Sequence, residues 1–284
     1  MPAPGGATLA SLKTLFGTKR GKVLPLPPNL AHLYGCLRMP LPRSHPHVYS
    51  NFVTTLDGVV SLNEKGHASG GDISGFSAQD RMVMGLLRCI ADVVIVGAGT
   101  LGVDRHHVWT AERIFPELAG EYRRLRKALG KREPPLLAVV SGSGRLDLGL
   151  PVFVSGEMRT LIVTSAAGAR RLRNAGATGS VEIRAVRGDG AIRARSILGQ
   201  VRRTGAGKLI LVEGGPRLLG DFFADQLIDE QFLTLAPQIA GRKADDRRLS
   251  LVMGRTFAPR SPLWGSLTGL KRGQNHLFLR YSFP

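Results

Sequence analysis

Two glycine-rich turns, each directly after a run of aliphatic residues, are the part of this sequence best suited to chemistry. The first run, residues 93–96, leads into Gly97-Ala98-Gly99-Thr100, and the second, residues 209–212, leads into Glu213-Gly214-Gly215-Pro216. A wholly aliphatic run bounded by turn residues predicts a strand covered on both faces. Glycine after such a strand lets a backbone approach a ligand, and a helix beginning there directs N–H groups at phosphate. The two turns therefore predict a phosphate-rich cofactor held across the end of a parallel sheet.

Glu213 is the strongest single candidate for a catalytic group. It stands at the carboxyl end of a strand that is otherwise wholly aliphatic, where a carboxylate is costly unless it is paired or used. A helix predicted to begin at Pro216 would supply N–H donors, because proline is favoured at a first helical position. We therefore expect Glu213 in the site, as a base or as a group that assists proton transfer.

The first glycine turn matches the dinucleotide fingerprint GxGxxG, but its surroundings do not. That fingerprint requires a helix directly after the glycines and an acidic residue at the end of the next strand, about 20 residues on. Here residues 103–109 intervene, and no strand ending in an acid follows at that distance. The pattern indicates a phosphate-binding turn outside a Rossmann domain.

The composition is that of a globular chain without a membrane span. The chain has 284 residues, 43% of them hydrophobic, and no apolar run of the roughly 18 residues that a span requires. We find no signal peptide, and Cys36 and Cys89 lie in unrelated contexts that define no disulfide framework. A reduced, cytoplasmic compartment is the expectation.

A formal net charge of +18 is the most unusual property of the composition. The basic residues cluster on predicted helices, at 123–127, 170–173 and 202–203, where solvated helix faces explain them. A nucleic-acid surface would require aromatic residues among the charges, and only Tyr122 lies beside such a cluster. Nucleic-acid binding is therefore not expected and is kept as a minor alternative, whereas a small anionic substrate suits the positive field.

Strands and helices alternate from residue 47 to the end of the chain. The expected strands are residues 47–54, 92–97, 136–141, 160–164, 181–186, 208–213 and 230–235, with a final antiparallel hairpin of 265–271 and 276–283. The expected helices are residues 78–91, with Ser77 as N-cap, and 111–129, 165–175, 191–204 and 216–225. This order predicts a three-layer α/β/α fold with a mixed sheet over residues 47–284. Residues 1–46 are predicted to form an irregular basic arm, with a short helix near 7–16.

Four motifs, in order, resemble the reductase domain of the riboflavin-biosynthesis deaminase–reductase, a member of the dihydrofolate-reductase-like superfamily. They are TTLDG at 54–58, LRxxAD at 87–92, VGAGT at 96–100 with Asp104, and LVEGGP at 211–216. The resemblance implies a dihydrofolate-reductase-like fold, NADPH as cofactor and a homodimer. It also implies reduction of the ribosylamino group of a phosphorylated aminouracil to a ribityl chain. The chain has no zinc-deaminase signature, so a reductase without an attached deaminase is expected.

The resemblance also implies roles for individual residues. Arg88, Asp72 and Glu213 would meet the substrate, and Glu213 or Asp57 would hold the base. Ser141 and Arg145 would suit a 2′-phosphate, and so NADPH. The residues implied to contact the cofactor are Thr54, Ser74, Gly97, Ala98, Gly99, Thr100, Asp104, Ser141, Arg145, Gly214, Gly215, Pro216, Arg217 and Leu218. Ordinary turn, surface or loop roles remain open for Asp57, Arg88 and the 141–145 segment.

Two departures from the family pattern leave the substrate open. Asp72 stands where a serine often faces the substrate phosphate, and Asp104 is followed by Arg105-His106 rather than by aspartate or asparagine and then proline. Another pyrimidine or a pterin, including dihydrofolate, is an alternative substrate, and a catalytically silent nucleotide-binding homologue is a further alternative. No metal site is expected, because the adjacent side chains of His106 and His107 diverge, and the pair is predicted to lie on a surface loop.

Overall fold

Ten strands form one mixed sheet in the computed structural model, which describes residues 9–40, 44–176, 181–187 and 192–284. The described strands are β1 (Lys13–Gly17), β2 (Lys22–Val23), β3 (Arg38–Met39), β4 (His47–Thr54), β5 (Val59–Ser61), β6 (Val93–Gly97), β7 (Leu136–Ser141), β8 (Thr160–Ser165), β9 (Val181–Val186), β10 (Leu209–Val212), β11 (Glu230–Leu235), β12 (Leu249–Ser250), β13 (Ser266–Gly273) and β14 (His276–Ser282). The described helices are α1 (Pro28–Tyr34), α2 (Gly70–Ser74), α3 (Ala78–Ile90), α4 (Ala98–Val103), α5 (Ala111–Ile114), α6 (Ala119–Ala128), α7 (Pro151–Val154), α8 (Ala166–Asn174), α9 (Ala194–Arg202) and α10 (Pro216–Ala224).

The strand order of the sheet is β1-β13-β14-β11-β4-β10-β6-β7-β8-β9. The strands from β11 to β9 are parallel to one another, whereas β14, β13 and β1 pair antiparallel at one side. The predicted mixed sheet with an antiparallel C-terminal hairpin is therefore confirmed. Because β4, β10 and β6 are parallel neighbours, their carboxyl ends meet at one edge, where α/β sheets bind ligands.

Helices cover both faces of the parallel part, because its strands are apolar on both sides. In β6, Val94 and Val96 belong to the core shared with α3 and α6, whereas Val93 and Ile95 belong to the core shared with α9 and α10. All four valine and isoleucine side chains are fully buried. This arrangement confirms the predicted three-layer fold. No helix in the described part of the chain has the length and apolar character needed to cross a bilayer.

The N-terminal segment contains regular structure that the sequence did not predict. The short helix expected near 7–16 is not formed over residues 13–16, which belong to β1 and pair with β13; residues 7 and 8 lie outside the described residues. α1 follows and packs Leu30 and Leu33 into the core. Every side chain of β1 is exposed, so no apolar periodicity marks the strand, and its position depends on the free edge of β13. The domain boundary at residues 46 and 47 stays a prediction.

Two helices differ from the predicted ones. The helix expected over 111–129 is interrupted by a 3₁₀ turn at Pro116–Leu118, because proline lacks the N–H that would continue the α-helical ladder. The first glycine turn leads directly into the short α4, so the expectation that no helix follows it is wrong. The turn nevertheless lies outside a Rossmann domain, because the sheet does not have the 3-2-1-4-5-6 strand order of that fold.

Candidate active site

A cavity of about 680 Å³ opens where β4, β6 and β10 end. Most of the predicted site residues line it, namely Ser74, Arg88, Gly97, Gly99, Thr100, Asp104, Glu213, Gly215, Pro216, Arg217 and Leu218. The others do not contribute to its lining, namely Thr54, Asp57, Asp72, Ala98, Ser141, Arg145 and Gly214. The edge of the sheet thus brings together the two glycine turns, the arginine of α3 and the glutamate that ends β10.

The two glycine turns touch each other at the rim of this cavity. A Cβ atom on Gly214 would lie 2.9 Å from the amide nitrogen of Gly97 and 2.4 Å from Cδ2 of Leu218. A Cβ atom on Gly215 would lie 3.4 Å from the hydroxyl oxygen of Thr100. Gly99 differs, because a Cβ atom there would meet nothing within 4 Å. The backbone at Gly99 is therefore open towards the cavity, whereas Gly214 is needed for the turns to pack.

A helix begins at each glycine turn. α4 starts after Gly97 and α10 after Gly215, and neither N-cap residue makes a side-chain capping hydrogen bond. The first N–H groups of a helix have no partner within the helix, and the helix dipole places partial positive charge there. Two such helix starts at the rim of one cavity form a suitable environment for a diphosphate.

A buried ion pair connects Arg88 with Glu213 at the cavity wall. Nε and Nη2 of Arg88 each lie 2.8 Å from Oε2 of Glu213, and the two side chains are only 4% and 6% exposed. Oε1 of Glu213 has no hydrogen-bond partner among the described residues. Burial raises the pKa of Glu213 above its ordinary value, although Arg88 and the nearby Asn51 oppose the shift. A carboxyl group whose pKa is raised in this way is suited to exchanging a proton.

His107 lies in the site, contrary to the surface position predicted for it. Its Nε2 is 2.5 Å from Nη1 of Arg88, and its ring packs edge-on against Trp109, with centroids 4.8 Å apart. Burial, with a smaller contribution from Arg88, lowers the pKa of His107 to about 3. The imidazole is therefore neutral, and Nε2 accepts a hydrogen bond from the guanidinium group. Among the described residues, no group of three or more His, Cys, Asp or Glu side chains could hold a metal ion.

Asp80 is a second buried carboxyl group on the cavity wall, and the sequence analysis missed it. The residue is 5% exposed, and burial raises its pKa, opposed by hydrogen bonds from Thr234 and Ser74 and by the charge of His276. It lies three residues after the N-cap Ser77, whose hydroxyl accepts from the Asp80 amide. An acid at that position is usual in the first turn of a helix, so the pattern gave no reason to suspect a site residue.

Asp57 and Asp72 are held by local structure. Asp57 accepts hydrogen bonds from the Thr55 hydroxyl at 2.5 Å and from the amides of Ala240 and Gly241 at 3.1 and 2.8 Å. These bonds, led by that of Thr55, lower its pKa to about 2. Such an acid is a poor general base near neutral pH. The base role predicted for Asp57 therefore gains no support from the geometry.

Asp72 closes the capping box at the start of α2. Its carboxylate accepts from the amide and hydroxyl of Ser69 at 3.1 and 2.8 Å, and it lies 3.0 Å from Nδ1 of His67. The carboxylate is thus occupied with the helix start rather than with the cavity. Its predicted contact with a substrate phosphate stays a prediction.

The remaining predicted cofactor residues lie around the cavity rather than on its surface. The hydroxyl of Thr54 is buried and lies 3.3 Å from the carbonyl oxygen of Val59. Ser141 is buried at the end of β7, and Arg145 is exposed in the loop that follows. That loop packs on α8, since a Cβ atom on Gly144 would lie 2.5 Å from the carbonyl oxygen of Gly168. Contacts of Thr54, Ala98, Ser141 and Arg145 with a cofactor stay predictions.

The family that these features indicate is identified by sequence. The sequence model of the RibD C-terminal domain matches residues 46–252, which is most of the chain. The chain belongs to the RibD C-terminal domain family. No curated protein matches the chain.

Solved structures share the fold of the chain at low sequence identity. A pyrimidine reductase-like protein of Corynebacterium diphtheriae is 22% identical, with a TM-score of 0.66 over 90% of this chain and 98% of that chain. RibD of Acinetobacter baumannii is 18% identical, with a TM-score of 0.64 over 84% of this chain and 58% of that chain. The riboflavin biosynthesis reductase Rib7 of Saccharomyces cerevisiae is 12% identical, with a TM-score of 0.58 over 87% of this chain and 93% of that chain. These likenesses show a common fold.

Proposed function

We propose that the chain is an NADPH-dependent reductase of a phosphorylated ribosylaminopyrimidine, with 5-amino-6-(5-phosphoribosylamino)uracil as the first substrate to test. The observation that carries the proposal is the meeting of two glycine turns at one rim of a cavity whose wall holds the buried Arg88–Glu213 pair. Membership of the RibD C-terminal domain family supports it, as do the reductases that share the fold.

The residues at the rim suit a nicotinamide dinucleotide. The open backbone at Gly99 and the first N–H groups of α4 and α10 would hold its diphosphate. Ser141 and Arg145 would hold a 2′-phosphate, which is the basis for preferring NADPH to NADH. When bound, the reduced nicotinamide supplies the hydride for the reduction.

Glu213 is the proposed proton-handling group of this site. Arg88 binds Oε2 and fixes the orientation of the carboxyl group, while Oε1 stays free for the substrate. A pKa raised by burial brings the group closer to the pH at which a general acid or base works best. Asn51, close to this carboxyl group, lines the same cavity and would add a polar contact to the substrate.

Arg81 is proposed to share the binding of the substrate phosphate with Arg88. Arg81, Met84 and Arg88 line the cavity from one face of α3, as their spacing of three and four residues dictates. Arg88 already binds Glu213 and His107, which leaves only part of its donor set available. Arg81 forms no ion pair among the described residues, and its buried Nε has no partner there. Its guanidinium is therefore the freer of the two for an anion.

A homodimer is proposed from the family resemblance. The sheet ends at β1 and β9, and the unpaired backbone of an edge strand is one surface that a second copy could cover. Light scattering coupled to gel filtration measures the mass in solution. A monomeric mass at micromolar concentration would contradict this part of the proposal.

The test is oxidation of NADPH by the purified chain with the phosphoribosylaminouracil, compared with dihydrofolate and with NADH. Glu213→Gln should lower kcat by about 10²-fold or more, as for loss of a general acid–base group, and leave the Kd for NADPH within about twofold. Glu117→Gln, at an exposed glutamate outside the cavity, is the matched control. An equal loss of NADPH binding would overturn the role of Glu213, and saturable NADPH binding without turnover of any substrate would favour the silent homologue.

A further inference from the structure

A second cavity, of about 330 Å³, lies between the N-terminal segment and the sheet. It is lined by residues of β1 and of the stretch from Tyr34 to Arg38 on one side, and by residues of β11, β13 and β14 on the other. Most of these lie outside residues 46–252, the range that the family model matches. The two cavities have only Asn51 in common, so the second is separate from the candidate active site.

The walls of the second cavity are apolar and aromatic. The rings of Phe16, Tyr34, Phe232 and Phe278 all contribute to its lining. The volume is at the lower end of the range for small-molecule pockets, which are mainly lined by such side chains. A ligand of about ten non-hydrogen atoms with a flat or branched apolar body suits these walls.

The charged side chains in the lining are all positive. Lys19, Arg38, Lys271 and Arg280 line the cavity, and no Asp or Glu is among its lining residues. Arg280 forms an ion pair with Glu230, which does not line the cavity, with Nη2 2.6 Å from Oε2. Lys271 has no carboxylate partner among the described residues: its Nζ donates to the Thr14 hydroxyl at 2.8 Å and lies 4.6 Å from the ring centre of Tyr34. An ammonium group in this position attracts an anion.

Tyr34 adds a hydroxyl donor to the side of the cavity that holds this ammonium group. The residue as a whole is only 5% exposed, and it contributes to the lining of the cavity. Burial raises the pKa of Tyr34 to about 12, so the phenol keeps its proton. A protonated phenol can donate a hydrogen bond to a ligand oxygen in the cavity.

We propose that this cavity is a second binding site, for a small organic carboxylate with an aromatic or branched apolar body. The ammonium group of Lys271 and the hydroxyl of Tyr34 bind the carboxylate, and Phe232 and Phe278 contact the body. The proposal does not depend on the proposed reductase activity. Its probe is phenylacetate, which combines a carboxylate with a phenyl ring of suitable size.

Cys36 offers a local readout, because it is exposed and lines this cavity. The other cysteine, Cys89, is buried, and its thiol contacts the carbonyl oxygen of Tyr122. The rate at which N-ethylmaleimide modifies Cys36 is measured by mass spectrometry at increasing phenylacetate concentrations. We expect saturable protection with a Kd in the millimolar range or tighter, which is the affinity range of ligands of about this size. The uncharged phenylacetamide, at the same concentrations, should protect at least about tenfold less.

Two variants assign the protection to the proposed groups. Lys271→Met should raise the Kd for phenylacetate about tenfold or more, because a charge-assisted hydrogen bond is lost. Tyr34→Phe, which removes only the hydroxyl, should raise it about threefold or more. Arg272→Met removes an exposed charge from the next residue of β13, outside the cavity, and should leave the Kd unchanged. Absence of protection by phenylacetate, equal protection by the amide, or equal effects of Lys271→Met and Arg272→Met would overturn the proposal.

Discussion

The two glycine turns look alike in the sequence, yet their glycines serve different purposes. Gly214 is enclosed by Leu218 and by the backbone of Gly97, so its missing side chain allows the two turns to pack together. Gly99 faces open space, and nothing in the protein itself requires a glycine there. Packing therefore requires a glycine at position 214 but not at position 99, where the proposed cofactor would give the reason for a glycine.

A single arginine binds residues that lie next to the two glycine turns. Arg88 binds Glu213, directly before the second turn, and His107, a few residues after the first. The guanidinium group thus holds a carboxylate on one side and a neutral imidazole on the other. Substitution of Arg88 should therefore affect the structure around both turns. Substitution of Gly214 should lower mainly the stability, and substitution of Gly99 should weaken mainly the binding of NADPH.

Loss of Arg88 is expected to have the largest effect. Arg88→Met leaves the carboxylate of Glu213 buried without its partner, which typically costs about 3–5 kcal/mol. Urea denaturation measures the change in the free energy of unfolding. The double variant Arg88→Met/Glu213→Gln should recover part of the loss, because no charge is then left unpaired. A loss below about 1 kcal/mol for the single variant would show that the pair is not isolated from water.

A matched pair of alanine variants tests the difference between Gly214 and Gly99. Gly214→Ala should lower the free energy of unfolding by about 1–3 kcal/mol, because its Cβ would press on the backbone of Gly97. Gly99→Ala should be neutral or stabilising by up to about 1 kcal/mol, since alanine is the better helix former and has room in α4. The opposite order of stabilities would refute the packing explanation.

Binding of NADPH should distinguish Gly99 from another glycine on the same helix. Gly99→Val places a side chain on the open backbone at the cavity, and the Kd for NADPH should rise about tenfold or more. Gly102→Val is the control, because Gly102 also faces open space in α4 but does not line the cavity. Equal Kd values for the two variants, measured by calorimetry, would show that the cofactor does not approach Gly99.

The adjacent histidines allow a test of a pH dependence, whose effect on stability is small close to neutral pH. In the folded chain the pKa of His107 is about 3, against an ordinary value of 6.5. Between these values the unfolded chain binds the extra proton, so stability should fall as pH decreases from 6.5, by at most about 1.4 kcal/mol per pH unit. His107→Gln should reduce this slope, whereas His106→Gln, at an exposed position, should not. If the stability of both variants depended on pH in the same way, His107 would be exposed to solvent in the folded chain.

The parallel strands and the glycine turns could be predicted because their signals are local. An aliphatic run such as residues 93–96 is buried on both faces wherever the sheet places it. Ser77 was expected to cap α3, and its hydroxyl does so, because capping depends on residues three positions apart. Glu213 was likewise expected at the site, since a carboxylate ending an apolar strand requires a partner.

The rest of the site depends on contacts that the sequence does not display. His107 belongs to the site because α3 places Arg88 beside its Nε2. Asp80 belongs to it because the first turn of α3 lies against the cavity. β1 has five exposed residues and no apolar pattern, so only the free edge of β13 explains it. The interruption of the helix at Pro116 could have been predicted, because a proline is a local signal against a continuous helix.

A crystal structure of the chain with NADPH bound is the decisive test of the proposed cofactor site. We expect the diphosphate of the cofactor within hydrogen-bond distance of backbone amides in both turns, in residues 97–100 and 215–217. A diphosphate bound elsewhere, with the space over Gly99 empty or filled by a side chain, would contradict the assignment of this cavity to a nicotinamide cofactor.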